Sequence, residues 1–321
     1  MKRFISMTFM ALSLALMFAS CSKERVGSNS GEATVTLSVD ILDGIVTKTY
    51  GDGMYASKNL TVGVFDENGQ EKFRKNYVWD AETLSQEIQI RFVMGKKYQM
   101  VVFAQYGNAY GDPATMSLEE ITLDYAASNR ENLDAFYAHV PVFEVKQDFS
   151  MPIVLRRPFA QLNFATTIND LDESTSEDYL GLPAKASVTV KNLANTLNLF
   201  TGEAYYLDEN LKAEAQGRAV VIPETEFPMV NGKRPQIEVE GVKYEVISMN
   251  YVLVADSGAE DGKTTVDLTL NVGDLEINVP NAYMKRNWRT NVIGELLTAE
   301  GTFSVTIDPI FEGAFDNVWN E

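Results

Sequence analysis

The sequence predicts an all-β protein of two tandem β-sandwiches with short helical crossovers. Three observations carry this. Apolar residues recur with period two in many short runs. Gly-, Asn- and Asp-rich turns separate those runs. Apolar residues make up 45% and aromatics 11% of 321 residues, enough to fill a core. The length suits about two domains.

The chain opens with Met1, Lys2 and Arg3, followed by an apolar run to Phe18 and then by Ala19, Ser20 and Cys21. A basic start, a short apolar stretch and small residues form a secretory signal, expected over residues 1–20. The ending Ala19-Ser20-Cys21 resembles a bacterial lipobox. That resemblance implies cleavage before Cys21, lipid on its sulfur and new amino group, and an outer-membrane anchor. Multiple acyl chains suffice for stable anchoring. Residues 21–32 are polar and Gly/Ser-rich and read as a flexible tether.

An N-terminal sandwich is expected over residues 33–167. Its first strand runs from Ala33, with Val35, Leu37, Val39 and Ile41 on one face and Thr34, Thr36, Ser38 and Asp40 on the other. Further extended runs follow at 60–66, 70–78, 84–93, 98–105 and 141–145. Asp66-Glu67-Asn68-Gly69 makes a turn between two of them. Ser117 with Glu120, and Ser128 with Glu131, fit the Ser-x-x-Glu capping box, which predicts short crossover helices between 117 and 139. Strands at 150–155 and 159–167 come next. The polar, acidic segment 168–183 marks the boundary.

A C-terminal sandwich is expected over residues 168–321. Extended runs lie at 185–191, 196–200, 219–222, 235–240, 244–254, 264–272, 276–280, 290–297 and 302–307. Asp256 to Gly262 reads as a solvated hairpin loop.

Composition excludes several functions. Asp+Glu 45 against Lys+Arg 27 gives a net charge of −18, which disfavours nucleic acid as a partner. One cysteine, Cys21, permits no internal disulfide and no cysteine-cluster zinc site. The single histidine, His139, rules out a multi-histidine metal site in one chain and reads as a packed or surface residue. The acidic groups Asp170, Asp172, Glu173, Glu177, Asp178 and Asp256, Glu260, Asp261 lack the order of a calcium loop and read as solvated. Neither a phosphate loop nor a nucleophile elbow occurs. No catalytic residue, metal or cofactor is expected, and the protein is not expected to be an enzyme. Lys285, Arg286 and Arg289 around Trp288 form a basic island, read either as a hairpin covering the core edge or as a platform for a sugar or acidic neighbour. Trp79 and Trp319 read as core or edge residues.

Three stretches together resemble the fimbrillins, the fimbrial subunits of Gram-negative anaerobes. They are the lipobox and tether leading to Glu32-Ala-Thr-Val-Thr-Leu-Ser-Val and Val46-Thr47-Lys48-Thr49; Leu155-Arg-Arg-Pro-Phe-Ala-Gln-Leu-Asn-Phe164; and Lys285 to Leu297 with Phe303 to Ile310. The resemblance implies two transthyretin-like sandwiches and a structural or adhesive subunit of fimbriae on the cell surface. It implies partners: other fimbrial subunits bound by β-strand addition, and a host protein or glycan receptor. It also implies proteolytic release of the first strand, with Val35, Leu37, Val39 and Ile41 as the displaced set. Phe303, Val305 and Ile307 are the expected donor set. The loop after the first strand carries Lys48 where polymerising fimbrillins have Arg. An uncleaved, glycan-binding surface lipoprotein is the alternative that this residue leaves open.

Overall fold

A computed structural model describes residues 31–41, 57–80, 85–127, 133–172, 180–208, 211–213, 217–229, 232–255, 262–298 and 301–308. The expectations on residues 1–30, including Cys21, and on Lys48, Ser128, Glu131, Glu173, Glu177, Asp178, Asp256, Glu260, Asp261 and Trp319 lie outside the described residues. Glu32 to Glu321 forms one compact unit.

The architecture is all-β. The first half carries β1 (Glu32–Ile41), β2 (Ser57–Asp66), β3 (Glu71–Asp80), β4 (Ser85–Val93), β5 (Lys97–Tyr106), β6 (Glu120–Thr122), β7 (Ala135–Glu144) and β8 (Phe149–Leu155). The second half begins with β9 (Ala160–Thr167), β10 (Lys185–Lys191), β11 (Leu193–Ala194), β12 (Thr196–Asn198), β13 (Ala204–Asp208) and β14 (Leu211–Ala213). It continues with β15 (Ala219–Glu226), β16 (Gln236–Val239), β17 (Val242–Val254), β18 (Thr264–Val272), β19 (Leu275–Met284), β20 (Arg289–Glu295) and β21 (Thr302–Asp308).

In the first half, the sheet β4-β1-β8 and the sheet β3-β2-β5-β7 bury a common core. In the second, β15-β10-β18-β19 lies against β11-β17-β9-β20-β21, with β16 added on β17. Turn chemistry fixes the hairpins. Asp66 Oδ1 accepts from the N–H groups of Asn68 (2.9 Å) and Gln70 (3.0 Å), and Gly69 takes φ 84°. Only glycine adopts that angle without steric cost.

The two halves share a plan. β1 pairs antiparallel with β4 and parallel with β8; β9 pairs antiparallel with β17 and parallel with β20. β9 therefore ladders to strands of the second half, although the expected division at 167/168 assigns it to the first. Pro158 lies between β8 and β9 and has no N–H to continue a ladder. The chain changes sheets there, one strand before the acidic segment.

The crossover differs from the helical expectation. Ser117 Oγ accepts from the N–H groups of Glu119 and Glu120, both at 3.2 Å, which makes a serine turn rather than an α-helical cap. The chain then runs into β6, which pairs with β12 and so satisfies its backbone groups outside any helix. Among the described residues the named helical pieces are a 3-10 turn at Tyr125–Ala127 and α1 (Ile168–Leu171). Residues 135–139, expected within the crossover, belong to β7.

The core is divided. One cluster lies inside the first sandwich and includes every buried apolar residue of β1. A larger cluster fills the second sandwich and reaches across the crossover (Leu118, Ile121, Leu123) to Phe65, Val101 and Phe103 on the outer face of the first. The junction between halves thus packs independently of β1.

Candidate functional site

The site built most clearly by the sequence is the slot that β1 fills. Its alternation places Ala33, Val35, Leu37, Val39 and Ile41 inward and Thr34, Thr36, Ser38 and Asp40 half-buried on the other side. Val35, Leu37 and Val39 are fully buried, and Ile41 is 7% exposed. They meet Leu60, Val62 and Val64 of β2 and Met100 and Val102 of β5 in one cluster. Glu32 to Asp40 runs antiparallel against Val93 to Ser85, and Val35 to Ile41 runs parallel against Phe149 to Leu155. Just before the parallel ladder begins, the Thr34 N–H donates to Asp148 Oδ1 at 2.8 Å.

The strand therefore holds two neighbours that do not pair with each other. Without it, β4 and β8 would each present an open row of backbone donors and acceptors, which a strand of matching alternation can satisfy. The apolar floor between them would lie open to water.

The expected donor residues sit on a different edge. Among the described residues, β21 is the last strand of its sheet and pairs with β20 alone. Phe303 and Val305 are each 39% exposed, while Ile307 is half-buried. Gly294 lies opposite Phe303, and a Cβ on it would fall 2.0 Å from the Thr302 carbonyl oxygen. The close approach of β20 and β21 thus requires glycine there.

The remaining sequence candidates have structural partners. The His139 Nε2 lies 3.2 Å from Gln99 Oε1, and its ring meets Phe200 edge-on at 5.3 Å. Burial holds its imidazole below the usual histidine range. Asp170 is buried; its Oδ2 accepts from Thr166 Oγ1 and from the Leu297 N–H at 3.0 Å, so it ties α1 to the chain leaving β20. In the basic island, Arg286 donates to the carbonyls of Val254 (2.9 Å) and Gly202 (2.7 Å), Arg289 is buried, and Lys285 Nζ lies 4.2 Å over the Trp288 ring. These contacts match the core-edge reading rather than the platform reading. Among the described residues no group of three or more His, Cys, Asp or Glu could hold a metal ion. No helix among them is long and apolar enough to cross a membrane.

Sequence reasoning missed a buried ionic cluster at the junction. Arg157 Nε donates to both Asp134 oxygens, at 2.8 and 3.0 Å, with both side chains buried. The Arg157 guanidinium also sits 4.5 Å over the Phe136 ring. Burial pushes the Asp134 carboxyl upward, opposed by Arg157 and then by Lys58 and Arg289. Burial likewise pushes Lys58 down, with Asp134 pulling it back. Arg157 lies in the Leu155–Phe164 stretch, but no local pattern marks Asp134 as its partner.

No curated protein matches the chain. Among solved structures, the chain is similar to the tip fimbrial protein Mfa3 from Porphyromonas gingivalis, with 12% identity and a TM-score of 0.48 over 86% of this chain and 99% of that one. It is similar to a fimbrial assembly protein from Parabacteroides distasonis, with 15% identity and a TM-score of 0.45 over 88% and 97% of the two chains. It is also similar to a fimbrilin from Porphyromonas gingivalis W83, with 17% identity and a TM-score of 0.47 over 85% and 96%. Residues 26–321 match the profile of a family of unknown function (DUF6562), and the chain belongs to that family.

Proposed function

We propose that this protein is a non-enzymatic, lipid-anchored surface protein that serves as a structural or adhesive subunit of fimbriae. In this reading Cys21 carries the lipid and holds the chain at the outer membrane. Cleavage after Lys48 releases β1, and a strand of another subunit takes its place. Phe303, Val305 and Ile307 supply one such strand.

One observation carries the reading. The apolar residues of β1 belong to a core cluster separate from the one that joins the two halves. Withdrawing β1 opens a groove in the first sandwich and leaves the packing between halves in place. Burying a Val, Leu or Ile side chain contributes roughly 1.5–3 kcal/mol, so four such residues contribute about 6–12 kcal/mol. That is comparable with the whole stability of a typical domain, about 5–15 kcal/mol. An open groove of this size has a strong drive to be refilled.

A chain beginning at Thr49 tests the proposal. It should expose apolar surface and associate, and a synthetic Glu32–Ile41 peptide should restore a monomer. A truncated chain that stays monomeric, with unchanged stability and no peptide binding, would overturn it.

A further inference from the structure

We propose that the cleft beside the N-terminal end of β1 binds an acidic sugar residue through Arg91 and Lys96. This inference stands apart from strand exchange. The cleft has a volume of about 550 Å³. Small-ligand pockets fall in the range of about 300–1,000 Å³.

Its floor is aromatic. Phe92 lies 6.0 Å from Phe73 and 4.9 Å from Tyr98, ring centre to ring centre. All three line the cleft; Phe92 and Tyr98 are buried, whereas Phe73 is half-buried. An aromatic face offers the C–H face of a sugar ring a flat apolar surface.

Its rim is charged, and the charges are unevenly matched. Asp66 is engaged by Lys72 at 2.8 Å, and Glu67 by Lys97 at 3.2 Å. Arg91 and Lys96 are exposed and have no ion-pair partner among the described residues. Glu32 is the one carboxylate of the rim outside those two pairs; it pairs with Val93, two residues along β4 from Arg91. Among the described residues of the rim, two cations outside the ion pairs against one such carboxylate leave a positive spot in a chain of net charge −18. A guanidinium fork matches a carboxylate or sulfate in two parallel hydrogen bonds, and an ammonium adds a point charge beside it. An apolar floor with an anion-selective rim fits a uronic or sulfated sugar better than a neutral one.

Calorimetric titration of the purified full chain with trigalacturonic acid tests the assignment, with galactotriose and inorganic phosphate as comparison probes. Trigalacturonic acid should bind at least about tenfold more tightly than galactotriose, and high salt should weaken it. Arg91→Gln with Lys96→Gln should reduce binding by about tenfold or more with the melting temperature unchanged, since both side chains are exposed. Phe73→Ala should weaken the trisaccharide but leave any phosphate binding unaltered. The assignment is overturned if trigalacturonic acid shows no binding up to roughly 10 mM. Equal binding of the neutral trisaccharide, equal binding by the double variant, or phosphate binding as tight as that of the trisaccharide would each also overturn it.

Discussion

Leu37→Ala probes how far the first sandwich depends on β1. Leu37 is fully buried near the middle of β1, opposite Ile88 of β4 and Met151 of β8. The substitution removes three carbons, and transfer alone accounts for roughly 2.4 kcal/mol. A cavity adds about 24 cal/mol for each Å³ left unfilled. Ladders on both sides hold β1 in place, so the slot has little freedom to collapse. The expected loss is therefore in the upper part of the usual range, about 3–5 kcal/mol. Ser38→Ala is the control, because Ser38 is half-buried on the other side and should cost less than about 0.5 kcal/mol. Urea unfolding followed by fluorescence of Trp79, which is buried in the same cluster, reads both. If the two variants unfold at the same urea concentration, the slot does not depend on β1 as argued.

Three further outcomes are expected. Asp134→Ala leaves Arg157 buried without its carboxylate and should cost about 3–5 kcal/mol in urea unfolding, far more than an exposed ion pair such as Lys146–Glu144. Gly294→Ala forces a methyl group onto the Thr302 carbonyl and should strip hydrogen-exchange protection from residues 302–308, at roughly 1–3 kcal/mol; unchanged protection would refute the close-approach argument. The folded protein holds His139 below its unfolded pKa of about 6.5, so its contribution to stability is present above that pH and is lost as pH falls through the folded value. Melting temperature should therefore decline between about pH 7.5 and 5.5, and His139→Gln should flatten that slope.

The parts of the fold written in local periodicity were legible in the sequence. β1 shows its buried face in plain alternation, and the turn at Asp66 to Gly69 follows from the residue types that tolerate it. Long-range partners were not legible. Nothing in the alternation of β1 indicates that its parallel neighbour is β8, more than a hundred residues away. The crossover misled because Ser-x-x-Glu serves a serine turn as well as a helix start, and the ladder between β6 and β12 decided between them. The strand β9 was legible, but the burial of its polar residues was not. Its polar residues Gln161 and Asn163 are both buried, and the Asn163 side-chain amide donates to Asn291 Oδ1 at 2.8 Å. Polar residues in a strand can face one another under cover as readily as they face water. At the candidate site, the inward face of Val35, Leu37, Val39 and Ile41 was legible because one strand contains it whole. The Asp134–Arg157 pair was not, because its members lie 23 residues apart and meet only when the start of β7 and the end of β8 come together at the Tyr137–Arg156 bridge.

The most direct measurement is the mass of the intact chain recovered from the bacterial surface. Strand exchange predicts a subunit that begins at Thr49, with β1 removed and the groove refilled by a strand of a neighbour. A lipid-modified Cys21 on a chain that still carries Glu32 to Ile41 would contradict strand exchange in this protein.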